Sequence, residues 1–236
     1  MKNAKAKGVS RASQLRIAQR RSGIYGILAT AYAGPADEKF LGLLRGLKIT
    51  GDTSLPLQNE KLYGGINGLN RWLESNSTSP DSVLSTQLAP EFTGLFRGIS
   101  RRNSPLPPYE SVYREGQLFG ESTGKITEVF QQYSLKPGNN EPPDHISLEL
   151  DFMRLLCNRE AEAGKSGVGM LDALREEEKF LEEHLLLWAP ALCEQIRKFD
   201  TKGLYKALAD VTEGWIKYDL TEITRLISES GEQIST

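Results

Sequence analysis

EPPDHISLELDFM, from Glu141 to Met153, joins a proline-rich polar turn to an apolar helical run. Proline suits the first turn of a helix because its missing amide hydrogen has no partner there, so the stretch predicts a helix from Pro142 to about residue 164. The run that follows is apolar almost all round a helical wheel, which is typical of a buried helix. Only its first turn, with Asp144 and His145, is expected to reach solvent.

The adjacent Asp144 and His145 leave three interpretations open. An aspartate at a helix start is commonly a cap, where the helix favours negative charge. The two residues could also act as a general base with its orienting carboxylate, although no nucleophile stands in a recognisable motif. The third interpretation is a polar edge that grips a ligand. A metal site is not predicted, because the chain has only two histidines and the common sites are rich in histidine.

The remainder of the chain is also helical in pattern. Apolar residues recur at three- and four-residue steps, and no run of alternating β-branched residues indicates a strand. The segment RGISRRNSPLPPYESVY (97–113) is predicted to be extended, because its prolines fix φ and remove amide donors. The sequence therefore predicts an all-α fold, with helices at 11–33, 36–47, 57–74, 81–96, 122–133, 142–164, 170–188, 190–199 and 202–228.

A polar seam near 135–141 indicates how the fold is organised. Residues 11–236 are predicted to form one domain of two helical subdomains, approximately 11–135 and 141–236, joined by a hinge loop. Residues 1–10 are expected to form a flexible basic tail. Long helices around a hinge are compatible with either a monomer or a domain-swapped dimer.

Composition excludes several classes of protein. A net charge of −2 with a pI near 5.9 argues against a general nucleic-acid binder. Two isolated cysteines argue against a disulfide framework and a structural zinc site, and suit the cytoplasm. No run of about 18 apolar residues predicts a membrane span. No glycine-rich phosphate motif is present, so no cofactor is predicted.

The stretch QRRSGIYGILATAYAGPA (19–36) imitates a twin-arginine export signal, with an arginine pair, an apolar stretch and a small-residue triplet. Its apolar residues, however, recur at helical spacing. That spacing favours an amphipathic helix that packs on a core.

Three blocks of the sequence resemble a known family. They are PLPPYESVY with LFGEST (within 105–123), NEPPDHISLELDFM (140–153) and FLEEHLLLWAP (180–190). In this order they resemble the TorD/DmsD family of cytoplasmic chaperones for molybdenum-cofactor oxidoreductases of the dimethyl sulfoxide reductase type. The resemblance implies a TorD-like helical fold without enzyme activity. It also implies binding of the twin-arginine signal peptide, or leader, of a partner catalytic subunit until cofactor insertion is complete.

The resemblance also implies which residues bind the leader. They are Glu141, Asp144, His145, Pro107, Pro108, Tyr109, Tyr113, Leu95 and Phe96. Carboxylates can accept charge-assisted hydrogen bonds from arginine, and the aromatic side chains can bury the apolar part of the leader. His145 is expected to position Asp144 or to bond the leader backbone. Tyr109 stands where some members of the family carry tryptophan.

Charge distribution agrees with a cationic partner. Residues 1–36 hold seven lysines and arginines and no acid, so the remainder carries about −9 (−2 minus +7), and an acidic body steers a cationic leader. Two other functions remain open. One is an assembly subunit that stays bound to the oxidoreductase. The other is a hydrolase that uses Asp144, His145 and Glu141. The sequence does not identify the client enzyme.

Overall fold

The computed structural model describes residues 11–47, 59–97, 105–135, 141–166 and 168–234, so the predicted tail and most of the predicted hinge loop lie outside the described residues. In the described ranges the chain is helical and no strand is formed, which confirms the all-α fold class. The helices are α1 (Arg11–Ala33), α2 (Glu38–Gly46), α3 (Glu60–Ser75), α4 (Asp81–Phe96), α5 (Glu110–Glu115), α6 (Glu121–Gln132), α7 (Ile146–Ser166), α8 (Met170–Phe180), α9 (Leu186–Phe199) and α10 (Leu204–Ile234), with a π-helical turn at Leu181–Leu185.

The helices pack around one apolar core. α7 lies along α1, and α10 packs against α3, α8 and α9. A glycine on each side allows α3 and α10 to touch, because a Cβ at Gly65 or Gly214 would overlap the backbone of the other helix. Phe96 lies inside the core, with its ring centroid 5.6 Å from that of Tyr32 and 5.4 Å from that of Tyr205.

The segment that imitates an export signal forms part of α1, with Tyr25 and Leu28 buried, so the core-helix interpretation is confirmed. Arg21 is also buried. Its Nε lies 2.6 Å from Asp219 and its Nη1 2.6 Å from Glu160, and Nη2 contacts a third carboxylate on Glu177. This set of residues, which we call the Arg21 cluster, ties α1 to α7, α8 and α10.

Three helix predictions were wrong. α7 begins at Ile146 rather than at Pro142, because residues 142–145 form a turn whose backbone bonds another segment. The tail of the segment predicted to be extended forms the short helix α5. The predicted break before Pro190 is absent, since α9 runs through Pro190. That proline lies in the second turn of α9, where it removes one amide donor.

The predicted division into two subdomains stays a prediction. Along the described ranges, no helix combines the length and apolar character needed to cross a membrane.

Candidate functional site

The proline-aromatic segment and the EPPDH segment lie side by side. Tyr109 and His145 face each other in an isolated antiparallel bridge. The amide of Glu110 donates to the carbonyl of Asp144 at 2.9 Å, and the amide of Ile146 donates to that of Pro108 at 3.0 Å. These bonds explain why α7 starts late, since the backbone of residues 144–146 is committed to this pairing. Two segments far apart in sequence thus form one site.

Asp144 caps a helix other than its own. Its Oδ2 accepts 3.0 Å hydrogen bonds from the amide of Ser111, in the first turn of α5, and from the hydroxyl of Thr123 in α6. The side chain is fully buried. The prediction that Asp144 reaches solvent was therefore wrong, and the capping interpretation applies to α5 rather than to α7.

His145 is a neutral, buried ring. Only 4% of it is exposed, and its Nδ1 accepts from the amide of Ser147 at 3.2 Å and lies 2.7 Å from the Ser147 hydroxyl. Burial lowers the pKa of His145 to about 4. The bonds of its Nδ1 are to Ser147. The expected exposure of His145 was wrong, and its role toward Asp144 or the leader backbone stays a prediction.

Glu141 is the accessible carboxylate of the site, with 24% of its side chain exposed. One oxygen accepts from Arg97 Nη1 at 2.6 Å and the other from the Tyr109 hydroxyl at 2.5 Å. Partial burial opposes its ionisation, but the hydrogen bonds from Tyr109 and Arg97, together with nearby positive charge, keep the pKa of Glu141 below its usual value. Burial and the bond to Glu141 raise the pKa of Tyr109, so its hydroxyl remains a donor.

The other residues predicted to bind the leader differ in their burial and in their distance from the site. Pro108 is buried and Pro107 half-buried in the same segment. The half-buried Tyr113 donates to the carbonyl of Leu106 at 3.3 Å, and its ring centroid lies 5.5 Å from that of Trp188. Leu95 and Phe96 are 3% and 4% exposed, in the core rather than at an open surface. The structure therefore brings together Pro108, Tyr109, Glu141, Asp144 and His145, with Tyr113 nearby. Their binding of a leader stays a prediction.

Two buried glutamates that the sequence analysis did not single out support the site on its buried side. Glu110 is fully buried and lies 2.9 Å from Nδ1 of His184, so this buried histidine has a hydrogen-bond partner. Glu149 is also fully buried and accepts from Trp188 Nε1 at 3.1 Å. Burial raises the pKa of Glu149 well above its usual value. The only signal in the sequence for the buried role of Glu149 was a carboxylate on an otherwise apolar helix face.

The site favours binding over catalysis. Asp144 and His145 are both buried, and each is occupied in holding backbone in place. Over the described part of the chain, no group of three or more His, Cys, Asp or Glu is arranged to hold a metal ion.

A cavity of about 330 Å³ lies between α6, α7 and α8, where Arg159 stacks on Tyr133 and Tyr133 donates to Glu176. Lys179 and Glu183 of the same lining lie 4.0 Å apart, and His184 pairs with Glu110 behind it.

Comparison with known proteins places this site in a family. A family model described as nitrate reductase delta subunit matches residues 59–194, which is more than half of the chain and includes every predicted site residue. A protein named chaperone protein TorD from Vibrio cholerae serotype O1 (strain ATCC 39541 / Classical Ogawa 395 / O395) is 35% identical over 147 residues. The match covers 61% of this chain and 66% of that protein, just under two thirds of its length.

A second chaperone protein TorD, from Vibrio cholerae serotype O1 (strain ATCC 39315 / El Tor Inaba N16961), is 28% identical over 215 residues, which are 90% of this chain and 96% of that protein. A crystal structure of a putative redox enzyme maturation protein from Archaeoglobus fulgidus aligns with a TM-score of 0.48 at 20% identity, over 89% of this chain and 97% of that one. On the family match and these TorD relatives, the chain belongs to the nitrate reductase delta subunit family, the TorD family of molybdoenzyme maturation chaperones.

Proposed function

We propose that this protein is a cytoplasmic chaperone that binds the twin-arginine leader and the apo form of one catalytic subunit. The client is an oxidoreductase of the dimethyl sulfoxide reductase type, held until its cofactor is inserted and it is exported or assembled. Its TorD relatives support the chaperone role. The protein acts by binding, without chemistry of its own.

One observation carries the proposal: Glu141 is an ionised, partly exposed carboxylate that already binds a guanidinium group. Carboxylates and guanidinium groups form charge-assisted hydrogen bonds, which are stronger than neutral ones. Each carboxylate oxygen can accept two such bonds, so Glu141 can hold the Tyr109 hydroxyl and a leader arginine together. Asp144 is buried and committed to α5, so it supports this site rather than meeting the leader.

The direct test is calorimetric titration with a synthetic leader peptide that carries two adjacent arginines before an apolar segment. Glu141→Gln removes the charge with little change of shape. We expect it to weaken binding about tenfold to a hundredfold, since a hydrogen bond to a charged group contributes about 1.5–3 kcal/mol. A peptide with both arginines changed to lysine should also bind wild type more weakly, because lysine does not match the geometry of a carboxylate.

Glu162→Gln is the matched control, because Glu162 is an exposed glutamate on α7 with a lysine partner, Lys165, at 2.6 Å. It should bind the leader as wild type does. Equal binding by wild type and Glu141→Gln, with both variants folded, would remove Glu141 from the site.

A second function is favoured by the description of the matching family as a nitrate reductase delta subunit. We infer from it the alternative of an assembly subunit that stays bound to its oxidoreductase. Purification of the tagged protein from its source cell separates the two functions. A chaperone should carry the cofactor-free client and release it as the cofactor enters. Fixed stoichiometry with mature, active enzyme would favour the assembly subunit instead.

A further inference from the structure

Arg97 and Arg21 bind carboxylates in different ways. Arg21 is 3% exposed and bonds three carboxylates that are at most 2% exposed. Arg97, by contrast, is 46% exposed and bonds Glu141 through a single nitrogen. Buried ion pairs are costly to break, whereas exposed pairs contribute little net stability. The Arg97 contact is therefore the one that another cation can displace.

The position of Arg97 also favours exchange. It is the C-terminal cap residue of α4, and it reaches Glu141 across 44 positions of sequence. Its guanidinium carbon lies 5.8 Å from the centroid of the Phe92 ring, so it keeps a second, weaker contact after it leaves the carboxylate. Glu141 meanwhile keeps its bond from Tyr109.

We propose that Arg97 is an internal occupant of the leader-arginine site, and that an arginine of the leader takes its place on Glu141. This inference rests on the proposed function and adds a competitor within the chain. The exchange replaces one guanidinium–carboxylate pair by another, so Glu141 is never left unpaired. Competition with Arg97 also makes the site selective, because an incoming cation must displace a guanidinium group that is already bound to Glu141.

The alternative role for Arg97 is to hold Glu141 in the geometry that the leader needs. The two roles predict opposite results. Removing a competitor strengthens leader binding, whereas removing a positioning residue weakens it. Loss of folding would also weaken binding, so a gain of affinity cannot come from damage to the protein.

The test titrates the same synthetic twin-arginine leader peptide into wild type, Arg97→Gln, Glu141→Gln and the double variant. We expect Arg97→Gln to bind about two- to fivefold more tightly, which matches the small net contribution of an exposed ion pair. Arg154→Gln is the charge-matched control, because Arg154 is 40% exposed and pairs with Asp151 on α7. It should leave the affinity unchanged.

The double variant separates competition from the general loss of a positive charge. If Arg97 competes for Glu141, Arg97→Gln should have no effect once Glu141 is glutamine. Tightening that persists in the Glu141→Gln background would overturn the proposal, as would unchanged or weaker binding by Arg97→Gln alone. Either of these results leaves the proposed function standing provided that Glu141→Gln weakens binding, whereas an indifferent Glu141→Gln removes the leader site itself.

Discussion

At the scale of single residues, His145 contributes by remaining uncharged. Its Nδ1 accepts the amide of Ser147, which requires that nitrogen to be unprotonated. The ring stands edge-on to Tyr109, with centroids 5.1 Å apart. A proton on His145 would break the amide contact and place a charge in a buried position. His145 therefore helps to hold the Tyr109 segment only in its neutral form.

The lowered pKa of His145 predicts acid sensitivity. His145 takes up a proton near pH 6.5 in the unfolded chain and only near pH 4 in the folded chain. The stability that neutral His145 contributes is therefore complete above pH 6.5 and is lost as the pH falls towards 4. The loss amounts to at most about 3 kcal/mol. His145→Asn should lack it, as measured by the difference in urea unfolding between pH 7 and pH 4.5. A ring that titrates near pH 6.5 in an NMR experiment would contradict the prediction.

Residue roles were only partly predictable from the sequence. Family resemblance implied that residues of both the proline-aromatic segment and the EPPDH segment bind the leader, and the structure brings these two segments together. The burial of Asp144 and His145 was missed because it depends on contacts with Ser111, Thr123 and Tyr109, which are distant in the sequence. Arg97 was missed because no local pattern connects it to a glutamate 44 positions away.

At the scale of elements, α5 depends on a cap from another part of the chain. It has only six residues, and no side chain at its own N-cap position, Tyr109, bonds its first turn. A helix this short is unstable alone. The Asp144 carboxylate accepts from the Ser111 amide and the Asp144 carbonyl accepts from the Glu110 amide, so the EPPDH segment stabilises the first turn of α5. The position of Tyr109, which directly precedes α5, therefore depends on Asp144.

Asp144→Ala should therefore cost both stability and binding. It leaves the Ser111 amide and the Thr123 hydroxyl without their acceptor, at a cost of about 1–3 kcal/mol in urea unfolding. Leader binding should also weaken, because Tyr109 loses its fixed position. Asp37→Ala is the matched control, since Asp37 caps α2 by accepting the Phe40 amide at 2.7 Å. Its loss should cost about 1 kcal/mol and leave binding intact.

A different outcome is equally informative. If Asp144→Ala lowers stability by as much as Asp37→Ala and the leader still binds normally, α5 does not position the site. Asp144→Asn keeps an acceptor oxygen and should lie between the alanine variant and wild type in both measurements.

Element boundaries were predictable where their signals are local. α4 was predicted at its observed bounds, because Pro80 and Asp81 mark its start and its apolar spacing continues to Phe96. α5 was not, because its cap lies over 30 residues further along the chain. The continuation of α9 through Pro190 was missed for a similar reason, since a buried helix tolerates one lost amide bond when its apolar face is packed.

At the scale of the whole molecule, the Arg21 cluster joins four helices through one cation. Three carboxylates surround a single guanidinium group in the interior, so full ionisation would leave excess negative charge in a low-dielectric environment. Burial, partly opposed by Arg21, raises the pKa of Glu177 to about 8 and that of Glu160 to about 7. The folded protein therefore retains a proton here near neutral pH, where the unfolded chain has released it.

This retained proton predicts that the protein loses stability in mild alkali. A carboxyl whose pKa is raised on folding contributes fully below its unfolded value near 4.5, and the contribution is lost as pH rises through the folded value. Between pH 7 and pH 8, where His145 no longer titrates, the free energy of unfolding should fall by up to about 1.4 kcal/mol through Glu177. Urea unfolding at the two pH values measures the change.

Glu177→Gln keeps a neutral group at this position and should remove most of that pH dependence. Glu176→Gln changes the exposed neighbouring residue on α8 and should retain it. If the free energy of unfolding changes with pH equally in wild type and Glu177→Gln, Glu177 is ionised throughout this range, and the effect of Arg21 on its pKa outweighs that of burial.

Because the Arg21 cluster ties α1 to α7, and α7 begins at the site, the same alkaline range should also weaken leader binding in wild type but not in Glu177→Gln.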